Sequence, residues 1–460
     1  MNIRQFQSEC KLCEHLQLHA LQQVLAPETL AEVLQECQRQ TLRTRKLNHE
    51  AIVWWLIALH FYTTLSLGGV FEKITHTLRL LCPALDQQLP VESALTYRRY
   101  QLGVRPLQGL FHRVAQPIAT PKTPGAFLFG RRLVALDGHR TNLPDTKENA
   151  ACFGRLHADR GDAAFPQVLG MYLSECGTHA TLDAGFWPTA TSEHTGARRL
   201  LRSVNQGMLL MVDRGLYSFD FVVAVRKRQA HLLARLPAGV KPKRLKQLWD
   251  GSWLVGLQPA DYKRRAAGEQ IVVRLIEYTL DDPTLPGYGE VYRLITTLLL
   301  PTRYAAYDLA CAYHLRWEQE GSFDEMEIHQ QRPDTLLRSK KPVGVLQELY
   351  ALLIAHYAVR FVMAQAAEQA GLSPLGLSFV RALHLLGEAV NDFCLVAPGE
   401  YARLYARLLA EIARRPLPPR RPRCNPRVVK RKMSNFALKR PQHYQMPRLS
   451  KPFSEAIVLI

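Results

Sequence analysis

Three acidic residues occupy places in the sequence where carboxylates can hold metal ions. Asp137 ends an apolar run that begins at Arg132, and Asp213 ends a second apolar run that begins at Gly207. Both runs have the pattern of buried strands. Carboxylates at neighbouring strand ends can share metal ions, whereas carboxylates in the middle of a buried strand are costly to bury. We therefore expect Asp137 and Asp213 to lie at adjacent strand ends.

The third acid, Glu320, belongs to a segment with helical spacing. At that spacing Tyr313, Arg316, Glu320 and Glu327 fall within about 60° of one another around the helix axis. One helix face then offers an aromatic ring, a guanidinium that can bind phosphate, and a carboxylate. The plainer interpretation is that Arg316 and Glu320 form a surface ion pair on an amphipathic helix.

Together these acids suit phosphodiester cleavage with two metal ions. Such cleavage needs an activated nucleophile and a stabilised leaving oxygen, and two ions about 3.5–4 Å apart supply both. Mg²⁺ prefers oxygen ligands and takes only one or two protein carboxylates per ion. Asp137, Asp213 and Glu320 therefore suffice as the protein ligands of such a site.

The elements around the acids predict an α/β fold with an RNase H-like catalytic domain. Two further strands are predicted at Gln167–Leu173 and Ala180–Gly185, and a helix at Ser192–Val204, before the strand that ends at Asp213. Three antiparallel-type strands, a helix and a fourth strand beside the first are the order of an RNase H-like fold. Residues 229–300 are strand-like and are interpreted as a β-rich insertion in this domain.

Helices are predicted on both sides of the catalytic domain. One long helix is predicted over Ala305–Gln330, and further helices over Gly344–Ala370. The pattern is also helical before residue 120. Residues 414–440 are rich in arginine, lysine and proline and contain no acid, which predicts a flexible basic tail that binds the DNA backbone.

The charge balance favours a nucleic-acid partner. The 460 residues include 59 Lys and Arg against 40 Asp and Glu, a net charge of +19, and such an excess attracts polyanions. No membrane partner is expected, because the most apolar stretch, Ala51–Leu67, is too short to span a bilayer and reads as a buried helix. Without a signal-peptide pattern or a disulfide-like cysteine spacing, the chain is expected in the cytoplasm.

Several other residues receive smaller predictions. Cys10 and Cys13, with His15, leave a zinc site open, but reduced thiols are the preferred interpretation because no second Cys-x-x-Cys pair follows. Thr146 with Asp145, and Glu193 after Ser192, are predicted to cap helices. His139 lies close to Asp137 in sequence, but the acids already suffice as metal ligands.

Ordered motifs along the chain resemble the insertion sequence 4 family of bacterial DDE transposases. The most specific motif is Tyr-x2-Arg-x3-Glu at positions 313, 316 and 320. The resemblance covers nearly the whole chain. The supporting motifs are Leu136-Asp137-Gly138, Leu143-Pro144-Asp145-Thr146, Phe153-Gly154, Asp213-Arg214-Gly215-Leu216-Tyr217-Ser218 and Gln347-Glu348-Leu349-Tyr350-Ala351-Leu352-Leu353.

This resemblance implies an enzyme that moves an insertion element by cut-and-paste transposition. A homodimer would pair the two terminal inverted repeats of double-stranded DNA, form hairpinned ends and transfer the freed strands to target DNA. Asp137, Asp213 and Glu320 would bind two Mg²⁺ ions, for which Mn²⁺ would substitute. The protein would be cytoplasmic and nucleoid-associated when bound to DNA.

The resemblance also implies DNA contacts and a domain plan. Tyr313 and Arg316 would contact phosphates near the cleaved end, and Trp317 would stack on a flipped base. Arg214 is a candidate DNA contact, with a structural salt bridge as the alternative. The predicted domains are a helical DNA-end-binding domain at 1–120, the catalytic domain at 121–345, a helical region at 346–413 and the basic tail at 414–460.

One position departs from the family pattern. The family has a lysine seven residues after the glutamate, where this chain has Glu327, and Lys340 or Lys341 is a candidate substitute. Two alternatives therefore stay open: a weakened or repurposed transposase-derived protein that binds DNA without cutting, and a nuclease that cuts without strand transfer. The intact set of three acids argues against the first, and the insertion with the basic tail argues against the second.

Overall fold

The computed structural model describes residues 16–41, 47–158, 161–283, 288–331, 336–418, 428–429, 437–444 and 452–460. These residues divide into two units that the chain enters alternately. The first unit draws on Met1–Ala126, Leu136–Ser203 and Glu318–Leu417, and the second on Phe127–Ala135, Val204–Trp317 and Pro418–Ile460. The possible zinc ligands Cys10 and Cys13, and much of the basic tail, lie outside the described residues.

The helices follow the predicted distribution, with most of them in the first unit. In chain order they are α1 Pro27–Glu36, α2 His49–Ala58, α3 Leu67–Leu81, α4 Glu92–Leu102, α5 Arg105–Val114, α6 Lys147–Phe153, α7 Glu193–Leu200, α8 Phe219–Lys227, α9 Tyr262–Ala266, α10 Ala306–His314, α11 Glu318–Asp324, α12 Pro342–Ala370, α13 Phe379–Asp392 and α14 Tyr401–Ala413. Short 3₁₀ turns stand between them at His19–Leu21, Pro83–Gln88, Leu201–Ser203, Leu315–Trp317, Pro374–Gly376, Phe393–Leu395, Pro398–Glu400, Pro441–Tyr444 and Phe453–Ala456.

The strands include all those that the sequence predicts. In chain order they are β1 Phe127–Leu128, β2 Arg131–Asn142, β3 His157–Ala158, β4 Gly161–Asp162, β5 Gln167–Glu175, β6 Thr181–Pro188, β7 Met208–Val212, β8 His231–Arg235, β9 Lys243–Gln247, β10 Trp253–Leu257, β11 Ile271–Leu280, β12 Tyr292–Thr296, β13 Val428–Val429, β14 Ala437–Leu438 and β15 Ile457–Leu459.

In the second unit, parallel and antiparallel strands share one sheet. The start of β2 pairs in parallel with β7, with Leu133 opposite Leu209, and β7 pairs in parallel with β8. From β8 onward the order is β12, β11, β10 and β9, all antiparallel, and β15 adds to β11. Strand β7 is buried along its whole length, as a parallel strand in a sheet interior requires. Its unbroken apolar sequence is what made it predictable.

In the first unit, a hairpin and a large helical core surround the later part of β2. Strands β5 and β6 form an antiparallel pair, with Gly170 opposite Phe186, and β5 is the sheet neighbour of β2. Asn48 caps α2 by accepting a hydrogen bond from the Ala51 amide at 2.8 Å, and every residue of α2 except Glu50 is buried. The predicted buried helix over Ala51–Leu67 is therefore confirmed as far as Ala58, where α2 ends.

Helix α12 lies in the core of the first unit, against α2, α5 and α14. It is the one described helix that is long and apolar enough to cross a membrane, and 83% of its most apolar stretch is buried. The prediction that no stretch approaches a spanning length is therefore wrong. An all-round apolar helix is also what the centre of a large core requires, so burial among other helices accounts for its composition.

Two predicted elements have different bounds in the structure. Strand β2 does not end at Asp137 but continues to Asn142, because pairing with a neighbour distant in sequence extends it through polar residues. The single helix predicted over Ala305–Gln330 is wrong: α10 and α11 are separated by a 3₁₀ turn, and a π-helical turn, Glu325–His329, follows α11. Strand β9 was not predicted, since all its residues are exposed and only its pairing with β10 makes it a strand.

Candidate active site

Asp137 lies within β2 in the first unit and is partly exposed. Its Oδ1 accepts a hydrogen bond from the Gly138 amide at 2.8 Å. No larger residue fits at Gly138, because a Cβ there would lie 2.7 Å from the sulfur of Met171 and 3.3 Å from Cγ of Glu193. The predicted strand-end position is therefore wrong, but the burial cost that it was meant to avoid does not arise, because this part of β2 is not fully buried.

Asp213 directly follows β7 in the second unit, as predicted. Its Oδ1 accepts hydrogen bonds from the amides of Gly215 at 2.9 Å and Leu216 at 3.0 Å. An aspartate that holds the backbone two residues on forms a tight local turn, and this turn fixes the orientation of the carboxylate. Arg214, between them, is exposed, so its guanidinium is accessible to a phosphate.

The three predicted DNA contacts differ in exposure. The hydroxyl of Tyr313 donates to the carbonyl of Val212, the residue before Asp213, at 3.2 Å, and burial raises the pKa of Tyr313 to about 12. Arg316 is buried, and its guanidinium lies 5.4 Å from the ring centroid of Trp317. Trp317 is 41% exposed. The indole is therefore the most available of the three, while Tyr313 tethers α10 to the end of β7.

Glu320 lies in α11, in the first unit, and its side chain is exposed. The 3₁₀ turn before α11 and the π-helical turn after it change the rotation per residue, since these helices have three and more than four residues per turn instead of 3.6. The inference that regular spacing places Tyr313, Arg316, Glu320 and Glu327 on one face therefore does not hold.

Glu327 faces a partner that the sequence did not suggest. Its carboxylate contacts Nε2 of His139 in the first unit, and the His139 ring lies 5.3 Å from the ring of Phe323. The ionic contact is charged on both sides only when His139 is protonated. The resemblance implies a lysine at this position. The Glu327 carboxylate that stands there instead lies against β2, the strand that carries Asp137.

A buried polar cluster in the first unit, hereafter the His179 cluster, lies beside α11. His179 contacts Glu318 through Nε2 at 2.9 Å and Glu325 through Nδ1 at 3.0 Å. Glu325 also accepts from Nε of Arg360 at 2.8 Å and contacts Nε2 of His356 at 3.0 Å. Burial lowers the pKa of His356 to about 3, with the charge of His179 as a lesser cause, so this imidazole is neutral near pH 7.

Sequence reasoning missed the His179 cluster. A partial signal existed: His356 and Arg360 interrupt the apolar middle of α12, and a charged residue in an apolar stretch of helix requires a buried partner. The partner's identity was beyond the sequence pattern, because Glu325 and His179 are 146 positions apart.

The predicted caps next to these elements are confirmed for Thr146 and Ser192 but not for Asp145 or Glu193, which is instead the first residue of α7. The side chain of Thr146 accepts from the Asn149 amide at the start of α6, and that of Ser192 accepts from the Thr195 amide at the start of α7. Asp145 instead forms an ion pair with Arg155. These caps use the ordinary chemistry of short polar side chains at helix starts.

The three acids fit a metal site in their chemistry. Among the residues that the structure describes, no group of three or more His, Cys, Asp or Glu is placed to hold a metal ion, so the shared ligand set stays a prediction. Asp137 and Glu320 belong to the first unit and Asp213 to the second. Each is a carboxylate with partial or full exposure, and carboxylate oxygens are the ligands that Mg²⁺ prefers.

Comparison with known families identifies the class of protein. Residues 15–112 match the family described as insertion element 4 transposase N-terminal, and residues 129–358 match the transposase DDE domain. The chain belongs to the insertion element 4 family of DDE transposases, which confirms the resemblance drawn from its motifs. It is therefore a DNA transposase, an enzyme rather than a binding module by class.

Two transposases of Escherichia coli agree with this assignment. The chain is 29% identical over 419 residues to transposase InsG for insertion sequence element IS4 of Escherichia coli (strain K12), which covers 90% of this chain and 92% of the relative. It is 24% identical over 225 residues to putative transposase InsZ of the same organism, an alignment that covers 47% of this chain and 71% of the relative. A cryo-EM structure of the piggyBac transposase synaptic complex with hairpin DNA aligns over 91% of this chain and 88% of that chain, with 13% identity and a TM-score of 0.42.

Proposed function

We propose that Asp137, Asp213 and Glu320 are the catalytic metal ligands of a cut-and-paste transposase. The observation that carries this is the state of Asp213: it directly follows a fully buried parallel strand, and two backbone amides orient its carboxylate. A carboxylate held in this way costs little to orient when a ligand binds. Glu320 and Asp137 supply two further accessible carboxylates.

The metal chemistry is that of two-ion phosphodiester cleavage. Two Mg²⁺ ions, or Mn²⁺ in their place, would activate the attacking hydroxyl and stabilise the leaving oxygen. Asp137, Asp213 and Glu320 would share these ions in the DNA complex. The RNase H-like arrangement of β2, β5, β6 and β7, with residues 229–300 inserted, is the proposed scaffold.

The remaining residues bind and orient the DNA. Trp317 presents an indole with 41% of its surface exposed, which suits stacking on a base removed from the duplex. Arg214 is exposed beside Asp213 and would pair with a phosphate. Tyr313 and Arg316 would contact phosphates at their small exposed surfaces, and Tyr313 would also keep the end of β7 in place through Val212.

The partners follow from the same proposal. The substrate is double-stranded DNA: the terminal inverted repeats of the element and the target into which the freed 3′-ends are joined. A homodimer would pair the two ends. Residues 1–120 would bind the end sequence, and the basic residues after 414 would add affinity for the DNA backbone without sequence preference. The protein would act on nucleoid DNA in the cytoplasm.

The test is a cleavage assay with DNA that carries the genomic sequence on both sides of the gene. Wild type and Asp213→Asn are compared in Mg²⁺ and in Mn²⁺, with Glu277→Gln, in an ion pair with the half-exposed Arg244, as the control acid. Asparagine keeps an Oδ1 for the Gly215 and Leu216 amides, so the turn survives and only the ligand charge is lost. We expect metal-dependent cutting at the element ends by wild type and Glu277→Gln, and none by Asp213→Asn. Cutting by Asp213→Asn at the wild-type rate would refute the metal role.

The same assay tests a second function. The observation that favours it is Glu327, whose negative charge lies against His139 where the family pattern has a phosphate-binding lysine. A transposase-derived protein that binds the ends without cutting them would show specific binding by all three proteins and cleavage by none. Restoration of cutting by Glu327→Lys would then identify this residue as the cause.

A further inference from the structure

A single histidine, His179, contacts one side of α11, the helix that carries Glu320. His179 contacts the carboxylate of Glu318 at 2.9 Å and that of Glu325 at 3.0 Å. Between them, Gly321 lies against the imidazole, since a Cβ at that glycine would be 3.0 Å from Cε1 of His179. Glu318 and Gly321 lie three residues apart in α11, which is the spacing of one helix face, and Glu325 begins the π-helical turn that follows α11.

Glu320 lies on the other side of the same helix. Within α11, at about 100° of rotation per residue, Glu320 lies about 160° around the axis from Glu318 and about 100° from Gly321. Glu320 is exposed, whereas Glu325 is buried. Contact of Glu318 and Gly321 with His179 therefore directs the Glu320 side chain away from His179.

The contacts of His179 and Glu325 continue into the core of the first unit. Glu325 pairs with Arg360, which is 2% exposed, and contacts His356, which is fully buried. Both partners belong to α12, the central helix of the first unit. On the other side, His179 ends the β5–β6 hairpin turn, where Glu175 accepts hydrogen bonds from the amides of Ile118 at 3.2 Å and Ala119 at 3.0 Å.

The backbone of His179 lies in the left-handed region. Its φ is +60°, a conformation in which histidine is one of the few enriched non-glycine residues. The conformation belongs to the turn between β5 and β6, which directs the imidazole ring that contacts Glu318 and Glu325. Glycine at this position would have no side chain to make these contacts.

We propose that His179 is a positioning residue for catalysis, which sets the rotation of α11 so that Glu320 presents its carboxylate to the metal ions. This inference rests on the metal role of Glu320 proposed above. His179 does not touch DNA or metal; it acts through Glu318, Gly321 and Glu325. Residues that support metal ligands in this way typically contribute about 10–100-fold to metal affinity or activity.

The main test compares His179→Asn with wild type. Asparagine tolerates the left-handed backbone, so the variant removes the ring without adding backbone strain. Two quantities are measured: the single-turnover cleavage rate on end DNA, and Mn²⁺ binding to the protein by electron paramagnetic resonance without cleavage. We expect the rate to fall about 10–100-fold and Mn²⁺ binding to weaken about tenfold, with end-DNA affinity within a factor of two.

A matched control separates positioning from general stability. Arg99 is also a buried arginine of the first unit, and it donates to Gln347 and to the Gly344 carbonyl, both at 3.1 Å, but it contacts neither α11 nor the π-helical turn. Arg99→Met should lower the unfolding midpoint while leaving the Mn²⁺ dependence unchanged. If Arg99→Met weakened Mn²⁺ binding as much as His179→Asn, or if His179→Asn bound Mn²⁺ and cut like wild type, the inference would be overturned.

A second variant tests the same contact without altering any charge. Gly321→Ala places a methyl group against the His179 ring, so it should turn α11 and slow cleavage. In the double variant Gly321→Ala with His179→Asn the clash is gone, so the two effects should not add. Strict additivity would count against contact-mediated positioning.

Failure of the inference and of the proposed function give different results. Glu320→Gln is assayed beside the other variants. Wild-type cutting by Glu320→Gln would remove the proposed metal role of Glu320. Loss of cutting in Glu320→Gln together with wild-type behaviour of His179→Asn would overturn only the positioning role of His179.

Discussion

Each unit contains a buried arginine that pairs with a carboxylate, and the two pairs connect different kinds of element. Arg274 in β11 is fully buried; it pairs with Asp250 and donates to Oγ of Ser252 at 2.8 Å and to the Tyr304 carbonyl at 2.6 Å. Arg360 in α12 pairs with Glu325. Burial lowers the pKa of Arg274, and the charge of Asp250 opposes that shift.

The difference lies in what the carboxylate partner belongs to. Asp250 stands in a connection between strands, so Arg274 links β11 to that connection and to the Tyr304 carbonyl before α10. Glu325 begins the π-helical turn directly after α11 and shares its contacts with two histidines. A buried ion pair is weak evidence for net stability, but removal of one partner is costly because the other charge stays buried. The geometry specified by Arg360 is that of the helix carrying Glu320.

The largest expected effect is at Glu320 itself. Glu320→Gln should reduce cleavage of end DNA to background while end binding persists, because only a metal ligand is removed. Glu277→Gln, on β11 in the second unit, is the control and should cut normally. Single-turnover gels measure the cleavage rate, and gel shifts measure the affinity for end DNA. Normal cutting by Glu320→Gln would mean that the region around Glu320 has no more part in catalysis than the region around Arg274.

The two arginines should separate stability from catalysis. Arg360→Met and Arg274→Met each remove the guanidinium partner of a buried carboxylate, and each should lose about 3–5 kcal/mol of unfolding free energy. Cleavage per folded molecule should fall about 10–100-fold in Arg360→Met and stay unchanged in Arg274→Met. Urea unfolding and single-turnover rates provide the two measurements; equal loss of cleavage in both variants would show that the regions do not differ.

The outward side of the π-helical turn should respond to charge. Glu327→Lys breaks the contact with His139 and places a cation where the family pattern has one. If this position faces a phosphate, the slope of log affinity against log salt should steepen by about 0.9. Glu277→Lys makes the same charge change on β11 and should leave the slope for end DNA unaltered. Gel-shift titrations over a range of salt concentrations compare the two, and parallel changes would mean that net charge alone is responsible.

The smallest effect expected is on pH-dependent stability. The folded pKa of His356 is about 3, below its unfolded value, so only the unfolded state takes up a proton as the pH falls. As the pH falls from 7.5 to 5.5, protonation of His356 in the unfolded state should lower the free energy of unfolding by about 1.4 kcal/mol. His356→Gln keeps an N–H donor for Glu325 and should flatten that part of the profile. A profile unchanged by the substitution would mean that His356 is not held neutral.

Much of the fold could be predicted because its signals are local. The apolar run from Gly207 predicted β7 and hence the position of Asp213, and the helical pattern over Gly344–Ala370 predicted α12. The caps at Thr146 and Ser192 followed from the same short-range chemistry. The family could be identified because several motifs, including the one around Glu320, occur in order at characteristic spacings.

By itself, then, the sequence determined which segments are apolar enough to form strands and helices, which acids are available, and which family the chain belongs to. The tertiary structure decided the continuation of β2 past Asp137, the break of the predicted long helix, the contact of Glu327 with His139, and the His179 cluster. Each of these depends on partners far apart in the chain, such as His179 and Glu325. Local periodicity carries no information about such partners, because a buried charge is placed by whatever the fold brings against it.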